Sequence, residues 1–261
     1  PYGLVLCVGP TGSGKTTTLH SALGFINTVD MQIWTAEDPV EITQQGLRQV
    51  QVNPKIGFTF AHAMRAFLRA DPDVIMVGEI RDLETAGTAV EASLTGHLVL
   101  STLHTNSAPE TVTRLIDMGL DPFSFADALL GVLGPRLARG LCKQCREQYV
   151  PTPTELDELG AAYGKEAFTA LLKEEHPFGL KLWKCKGCQA CGQSGYKGRV
   201  ALHELLVGSD DLKRCIQRKA PIDEIRKVAA EGGMITLLQD GVRKVMDGLT
   251  DLKQVLAVCS R

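Results

Sequence analysis

No stretch of this 261-residue sequence approaches the roughly 20 consecutive apolar residues of a membrane span, and we expect no signal peptide. Internal repeats and low-complexity tracts are also missing. Hydrophobic residues make up 44% and charged residues 22% of the chain, which excludes a disordered protein, a collagen-like fibre and a disulfide-rich miniprotein. We therefore expect a cytoplasmic protein. Because position 1 is not methionine, we also expect the chain to begin partway into a longer protein.

The sequence also lacks the basic stripe that binding to a nucleic-acid backbone usually demands. Residues 1–138 carry 8 Lys and Arg residues against 14 Asp and Glu residues, although the net charge of the whole chain is only −2. Nucleic acid is therefore disfavoured as the main partner.

Short apolar runs alternate with helical patterns in the first half of the chain, which is typical of an α/β fold. Strands are predicted at 3–8, 32–35, 74–77 and 97–101. Helices are predicted at about 15–26, 60–69, 84–94, 108–117 and 122–139. Because the strands are almost wholly apolar, we expect a parallel sheet covered on both faces.

Composition predicts three parts. Residues 1–139 hold the α/β pattern, residues 140–199 hold most of the cysteines with several Pro and Gly residues, and residues 200–261 read as helical. Within the middle part a helix is expected at 154–173. The core of this part is small, so we expect it to need a cross-link to stay folded.

A complete Walker A pattern joins the first predicted strand to the first predicted helix. It comprises Gly9, Pro10, Thr11, Gly12, Ser13, Gly14, Lys15 and Thr16, with Thr17 next in the helix. Glycines let backbone N–H groups curl around phosphates, and the helix N-terminus adds partial positive charge. Lys15 is expected to reach the β- and γ-phosphates and the Thr16 hydroxyl to hold Mg²⁺. The motif therefore predicts nucleotide binding.

Two carboxylates follow predicted strands where ligands of open α/β sheets bind. Glu79 comes after the strand at 74–77 and is a candidate to hold Mg²⁺ through water, to activate the attacking water, or to do both. Glu37, with Asp38 beside it, follows the strand ending at Thr35 in an equivalent place. A solvated strand-end carboxylate is the alternative for Glu79, and the acidic pair at 37–38 is not diagnostic by itself.

Three further residues are candidates for contacts to phosphate. His104 follows the strand at 97–101, where a neutral imidazole could sense the γ-phosphate, although a lone histidine is more often structural. Arg65 and Arg69 are four residues apart on one face of a predicted helix. Spacing alone leaves open whether these arginines neutralise phosphate or only solvate the helix.

The order of these motifs resembles that of the secretion ATPase superfamily. After the Walker A pattern, residues 35–41 look like the aspartate box of that family, residues 68–82 like its Walker B box, and residues 95–106 like its histidine box. Within the superfamily the chain is most similar to type II secretion ATPases and type IV pilus assembly ATPases. The resemblance covers essentially the whole chain.

This resemblance implies a RecA-like P-loop NTPase core that binds ATP and Mg²⁺ and works as a homo-hexamer. The implied function is ATP hydrolysis that powers type II protein secretion or type IV pilus assembly. An inner-membrane platform protein is the implied partner, so the chain would lie in the cytoplasm and attach to the membrane through other proteins.

The site residues carry over from matching motifs. Glu79 is implied to be the catalytic carboxylate, and Glu37 to assist with metal or water. His104 is implied to contact the γ-phosphate region. Arg65 and Arg69 match an arginine pair that the family places near a phosphate, across a subunit interface.

Four cysteines predict a zinc site in the middle part of the chain. Two C-x-x-C pairs hold them, namely Cys142 with Cys145 and Cys188 with Cys191. Four thiolates suit the tetrahedral preference of zinc, and four protein ligands make the site structural. Cys185 could replace one ligand, but the Gly-Cys-x-x-Cys motif of the family matches Gly187 onward. Pilus retraction ATPases generally lack this motif, so the resemblance favours assembly or export.

Two other functions stay open from the sequence. One is a motor that moves nucleic acid on the same RecA-like fold, which the acidic first half disfavours. The other is a nucleotide-gated interaction module that does not hydrolyse ATP and uses the cysteine segment as its binding surface.

Overall fold

A computed structural model describes residues 2–259 of the chain. The chain divides into two compact units. Unit 1 comprises the described residues up to Gly134 together with Leu205–Met234, and unit 2 comprises Pro135–Glu204 together with the described residues from Ile235 onward. The three-part division of the sequence places its boundaries elsewhere and stays a prediction.

Seven strands form one sheet and two form another. The strands of the described residues are β1 (Gly3–Val8), β2 (Ile33–Glu37), β3 (Leu47–Gln51), β4 (Val74–Val77), β5 (Leu98–Leu103), β6 (Leu129–Leu141), β7 (Arg146–Tyr149), β8 (Leu182–Cys185) and β9 (Tyr196–Val207). The large sheet has the order β3-β2-β4-β5-β1-β6-β9, and its pairs from β3 to β6 are parallel. β7 pairs with β8 antiparallel. The expected α/β fold is confirmed.

Helices follow most strands of unit 1 and dominate the end of the chain. They are α1 (Lys15–Ile26), α2 (Phe60–Phe67), α3 (Leu83–Leu94), α4 (Ala108–Asp117), α5 (Pro122–Ala128), α6 (Pro153–Tyr163), α7 (Lys165–Glu175), α8 (Asp210–Gln217), α9 (Ile222–Glu231), α10 (Leu237–Met246) and α11 (Leu252–Cys259). Among the described residues, none of these helices has the length and apolar character to cross a membrane.

The sheet of unit 1 is covered on both faces. Successive side chains of a strand point to opposite sides of the sheet, and each side contributes to a different hydrophobic core. In β1, Leu6 and Val8 belong to the larger hydrophobic core, whereas Cys7 belongs to a smaller one. Leu19 and Leu23 of α1 pack into the smaller core. The first turn of α1 is thereby fixed close to the end of β1.

The predicted helix at 122–139 is wrong beyond Ala128, where β6 begins. Gly131 lacks helix propensity, and Pro135 removes a backbone donor that a helix interior needs. Parallel pairing with β1 satisfies the backbone of β6 instead. On its other side β6 adjoins β9, where a Cβ on Gly131 would lie 2.9 Å from the carbonyl oxygen of Leu206, so only glycine fits beside β9 at this position.

Two further helical predictions needed correction. β9 extends to Val207, so the region predicted as helical at 200–261 becomes helical only at Asp210. The single helix predicted at 154–173 is two helices, α6 and α7, because Gly164 between them adopts a φ of 100°. A left-handed φ ends a helix and favours glycine.

Unit 2 has a hydrophobic core of its own. Leu159 and Phe168, from the cysteine-containing segment, share this core with Leu237 and Val245 of α10. The segment at 140–199 is therefore stabilised by side chains outside it as well as by its own, since α10 and α11 pack into the same core.

Candidate functional site

The carboxyl ends of β2, β4, β5 and β1, which are neighbours in that order, form one edge of the sheet in unit 1. Three backbone hydrogen bonds align the residues at these ends, from Gly78 N to Ala36 O at 2.7 Å, from Ile80 N to Thr102 O at 2.9 Å and from Gly9 N to Leu103 O at 3.2 Å. Glu37, Glu79, His104 and the Walker A loop lie along this edge. The carboxyl edge of a parallel sheet is where ligands bind.

The Walker A residues form the tight loop that their sequence predicts. Gly12 has a φ of 78° and Gly14 a φ of 96°, both in the left-handed region where a side chain adds strain. The amine of Lys15 donates hydrogen bonds to Gly9 O at 2.8 Å and Pro10 O at 3.0 Å. These hydrogen bonds hold the Lys15 ammonium group against the start of the Walker A loop.

The start of α1 fits a bound phosphate. Its N-cap is Gly14, which gives no side-chain hydrogen bond to the first turn within residues 2–259. Five other helices of unit 1 are capped by side chains, namely those of Thr59, Asp82, Ser107, Asp121 and Ser209, whereas Pro221, the N-cap of α9, gives no such cap in the described part of the chain. The Ser13 hydroxyl is buried, and the described residues offer it no hydrogen-bond partner. Uncapped N–H groups and an unsatisfied hydroxyl suit an anion at this helix terminus.

Glu79 lies at the centre of a charged cluster two residues beyond β4. Its side chain is 18% exposed, one carboxylate oxygen pairs with Arg81, and the other lies 3.3 Å from His104 Nε2. Arg81 also reaches Asp38, with 3.5 Å between Nη1 and Oδ2. The cluster therefore joins the ends of three strands. A partly buried carboxylate held in this way can orient a water molecule beside a phosphate.

Glu37 has a more enclosed position. The residue is 4% exposed, and its Oε1 accepts hydrogen bonds from Thr35 Oγ1 at 2.6 Å and Gln49 Nε2 at 2.9 Å. Its Oε2 lies 3.2 Å from His20 Nε2. Both carboxylate oxygens are therefore engaged inside the protein.

The structure corrects the expectation that Arg65 and Arg69 share a helical face. α2 ends at Phe67, and the chain turns at Asp71, which has a φ of 50° and precedes a proline that disfavours helix. Arg69 is exposed beyond the helix. Arg65 is also exposed and donates a hydrogen bond to Glu84 Oε1 at 2.9 Å. A role for either arginine near phosphate stays a prediction.

Three residues of the site were missed from the sequence. His20 is four residues after Thr16, a spacing that places both on one face of α1 and could have indicated a shared site. Arg81 stands two residues after Glu79, which is the spacing of side chains on one side of an extended chain. Gln49 lies in β3, which the sequence pattern did not predict.

The four cysteines predicted as zinc ligands meet in unit 2. All four sulfur atoms lie within 4.8 Å of one another. Three of the separations are 3.8 Å for Cys142–Cys188, 4.0 Å for Cys145–Cys191 and 3.8 Å for Cys188–Cys191. Tetrahedral zinc with Zn–S bonds of about 2.3 Å requires sulfur atoms about 3.8 Å apart. The cluster is compatible with zinc.

The backbone near the cluster favours thiolate. The N–H groups of Cys188 and Gly195 donate to Cys191 Sγ at 3.2 Å and 3.3 Å. Burial raises the pKa of the Cys191 thiol, but hydrogen bonds from these N–H groups and from the thiols of Cys188 and Cys145 outweigh that effect and lower the pKa to about 6. Burial raises the pKa of the Cys145 thiol to about 12. Cys185 lies outside the cluster, where its thiol donates to Cys142 O at 3.6 Å.

A family model described as type II/IV secretion system protein matches residues 1–257. The chain belongs to this family. The resemblance recognised from the order of the motifs is confirmed.

Two curated relatives illustrate the breadth of this secretion family. The chain is 50% identical over 257 residues to the type IV pilus assembly ATPase PilB of Thermus thermophilus, covering 98% of this chain and 28% of the relative. It is 46% identical over 258 residues to the type II secretion system protein HxcR of Pseudomonas aeruginosa, covering 99% of this chain and 49% of the relative. The chain thus spans half or less of the length of these relatives.

Solved structures of a pilus retraction motor and of an ATPase share the fold. The pilus retraction motor PilT with bound ADP superposes with a TM-score of 0.69 at 29% identity, covering 98% of this chain and 61% of that one. The ATPase DotB of Legionella pneumophila gives a TM-score of 0.64 at 26% identity, covering 98% and 59%. These likenesses support the P-loop NTPase assignment of the α/β core.

Proposed function

We propose that this chain is the ATP-hydrolysing motor part of a protein that powers type II secretion or type IV pilus assembly. The observation that carries the proposal is the edge of the sheet, where Glu79 and its partner His104 follow β4 and β5 and the Walker A loop follows the adjacent β1. The names of the relatives, which include a pilus assembly ATPase, and the ADP bound to PilT support it.

The roles of the residues follow from phosphoryl-transfer chemistry. Lys15 and the first-turn N–H groups of α1 bind the phosphates of ATP, with the other Walker A residues shaping the loop, and Thr16 holds Mg²⁺. Glu79 orients the attacking water and accepts its proton, while His104 keeps the carboxylate directed toward the γ-phosphate region. Glu37 assists through water bound at the end of β2.

We further propose that the active form is a homo-hexamer. Arg65 and Arg69 are exposed, so they can approach the nucleotide of a neighbouring subunit and neutralise the charge that spreads over the transferred phosphoryl group. Hydrolysis would then depend on assembly, and its energy would be released as motion between domains.

Zn²⁺ is proposed to bind the four clustered cysteines and to cross-link the segment at 140–199. Four protein ligands leave no position for water or substrate, so the metal would stabilise the fold rather than take part in the reaction. We keep the division into an ATPase core at 1–139, a zinc-binding insertion at 140–199 and a helical region at 200–261 as a proposal about the sequence.

The proposed partner is an inner-membrane platform protein, on which the motor acts from the cytoplasm. This follows from the secretion and pilus systems in which the named relatives work, since these systems move proteins across or out of a membrane. The tetracysteine cluster favours assembly or export over retraction.

ATP turnover per subunit should rise with protein concentration. A catalytic site completed by Arg65 or Arg69 of a neighbour forms only in the oligomer, so dilution should reduce the specific activity about 10-fold or more. The measurement is phosphate release from MgATP over a dilution series, paired with the mass of the assembly by light scattering.

The control for this series is the Glu79→Gln variant, which should show no rise. A specific activity that is constant across the series would contradict completion of the site between subunits. Stimulation of turnover by DNA or RNA would favour a nucleic-acid motor in place of the proposed one.

A further inference from the structure

A closed ring of hydrogen bonds surrounds the buried carboxylate of Glu37. His20 Nε2 lies 3.2 Å from Glu37 Oε2, and His20 Nδ1 lies 3.0 Å from Gln44 Oε1. Gln44 N donates to Gln49 Oε1 at 2.8 Å, and Gln49 Nε2 donates to Glu37 Oε1 at 2.9 Å. The ring joins α1, β2, β3 and the loop before β3, and its histidine is only 2% exposed.

The partners in the ring determine the protonation of His20. Gln44 Nε2 donates to the carbonyl oxygen of His20 at 3.0 Å. If the Gln44 amide were rotated by half a turn, its own oxygen would face that carbonyl oxygen, and neither group could donate. Gln44 therefore presents its oxygen to His20 Nδ1, and Glu37 presents a carboxylate to His20 Nε2. Both ring nitrogens face acceptors, which calls for a proton on each.

Glu37 is in turn the natural counter-ion of this imidazolium. Its other oxygen accepts hydrogen bonds from Thr35 and Gln49, which favours the ionised carboxylate. A carboxylate has about four lone-pair directions, and these three partners leave about one for a further donor. The proposed function places a water molecule in that direction, at the end of β2.

The position of His20 on α1 gives the ion pair a second connection. Thr16 and His20 are four residues apart, so they occupy one face of the helix whose first turn fits phosphate. We propose that His20 is a positioning residue that holds the Glu37 carboxylate in place and couples it to the nucleotide-binding helix. This inference rests on the proposed function, because it needs Glu37 to act on bound ATP.

A double-mutant cycle on turnover tests the coupling. Glutamine in place of His20 is neutral and cannot donate hydrogen bonds to both Glu37 and Gln44 as the imidazolium does. We therefore expect His20→Gln to lower kcat for ATP about 10-fold. The affinity for a non-hydrolysable ATP analogue should change less than about twofold. The double variant His20→Gln/Glu37→Gln should be no slower than Glu37→Gln alone. His62→Gln, which changes an exposed histidine of α2, is the matched control and should keep wild-type turnover.

Nitrogen NMR of the unmutated chain provides a measurement that does not depend on the folding of a variant. With selectively labelled histidine, His20 should show protons on both ring nitrogens at neutral pH. A neutral ring, wild-type kcat in His20→Gln, or additive losses in the double variant would each overturn the positioning role. Absence of turnover in the wild-type chain at every concentration would instead overturn the proposed function on which that role rests.

Discussion

Glu79→Gln should bind MgATP with nearly unchanged affinity and hydrolyse it at least about 100-fold more slowly. Glutamine has the same shape as glutamate but cannot accept a proton from water, and general-base groups contribute about 100-fold to 10,000-fold to such reactions. The Glu79 side chain lies at the edge of the sheet with His104 and Arg81, and the Walker A loop follows the strand next to that of His104. Single-turnover hydrolysis and titration with a fluorescent ATP analogue would separate chemistry from binding.

Glu91→Gln is the matched control for this variant. Glu91 is an exposed residue of α3 outside the site, and the same change there should leave turnover at the wild-type rate. Undiminished hydrolysis by Glu79→Gln would remove this residue from the catalytic role. Loss of nucleotide affinity together with turnover would indicate that Glu79 serves chiefly to bind Mg²⁺.

Cys188→Ser should lower the zinc affinity of the chain more than about 100-fold and destabilise unit 2, with nucleotide binding preserved. Loss of even an outer-shell partner costs metal sites about 10-fold to 100-fold in affinity, and loss of a ligand costs more. Cys188 Sγ is 3.8 Å from both Cys142 Sγ and Cys191 Sγ, so serine would open the cluster on two sides. Elemental analysis after gel filtration would measure the zinc bound per chain.

The chain has two tryptophans, one in each unit, so tryptophan fluorescence can report the effect of Cys188→Ser on the unfolding of each unit separately. Trp34 lies in unit 1, and Trp183 lies in unit 2, where Arg146 stacks over its ring at 4.4 Å. In a Trp34→Phe background, Cys188→Ser should unfold at a lower temperature by Trp183 fluorescence. Cys185→Ser is the matched control and should keep one zinc per chain. Zinc lost from Cys185→Ser but kept in Cys188→Ser would mean that the ligand set is wrong.

The parts of the fold that the sequence predicted best are those with a local cause. β1, the Walker A loop and α1 follow each other as apolar run, glycine-rich turn and helix, and the predicted bounds of β1 and α1 match the structure. Asp121 and Pro122 are typical residues for the start of a helix, and the Asp121 side chain accepts a hydrogen bond from Ser124 N at 2.8 Å. Each of these features is decided by residues within one or two turns of one another.

The parts that could not be predicted depend on contacts between residues far apart in sequence. β6 pairs with β1, more than 120 residues earlier, and that pairing is not visible in its own sequence. Gly131 and Pro135 were local signals against a helix, but the periodicity of a short apolar run does not by itself distinguish a strand from a helix. In the sequence, Glu37 and Glu79 each follow a predicted strand. The structure nevertheless surrounds the Glu37 carboxylate with side chains of α1 and β3. The chemistry at the sheet edge was therefore predictable by motif, whereas the exposure and partners of each carboxylate were not.

The composition of unit 1 has a consequence for biosynthesis. Its larger core combines Phe125 and Leu129 with Leu212, Ile216 and Ile225, and all of Pro135–Glu204 lies between these two groups in the chain. A ribosome therefore releases the cysteine-rich segment before α8 and α9 exist to cover the apolar side chains of unit 1. We expect the nascent chain to expose Phe125 and Leu129 during this interval, when they would be available to a chaperone. A chain truncated after residue 139 would keep that surface uncovered and aggregate.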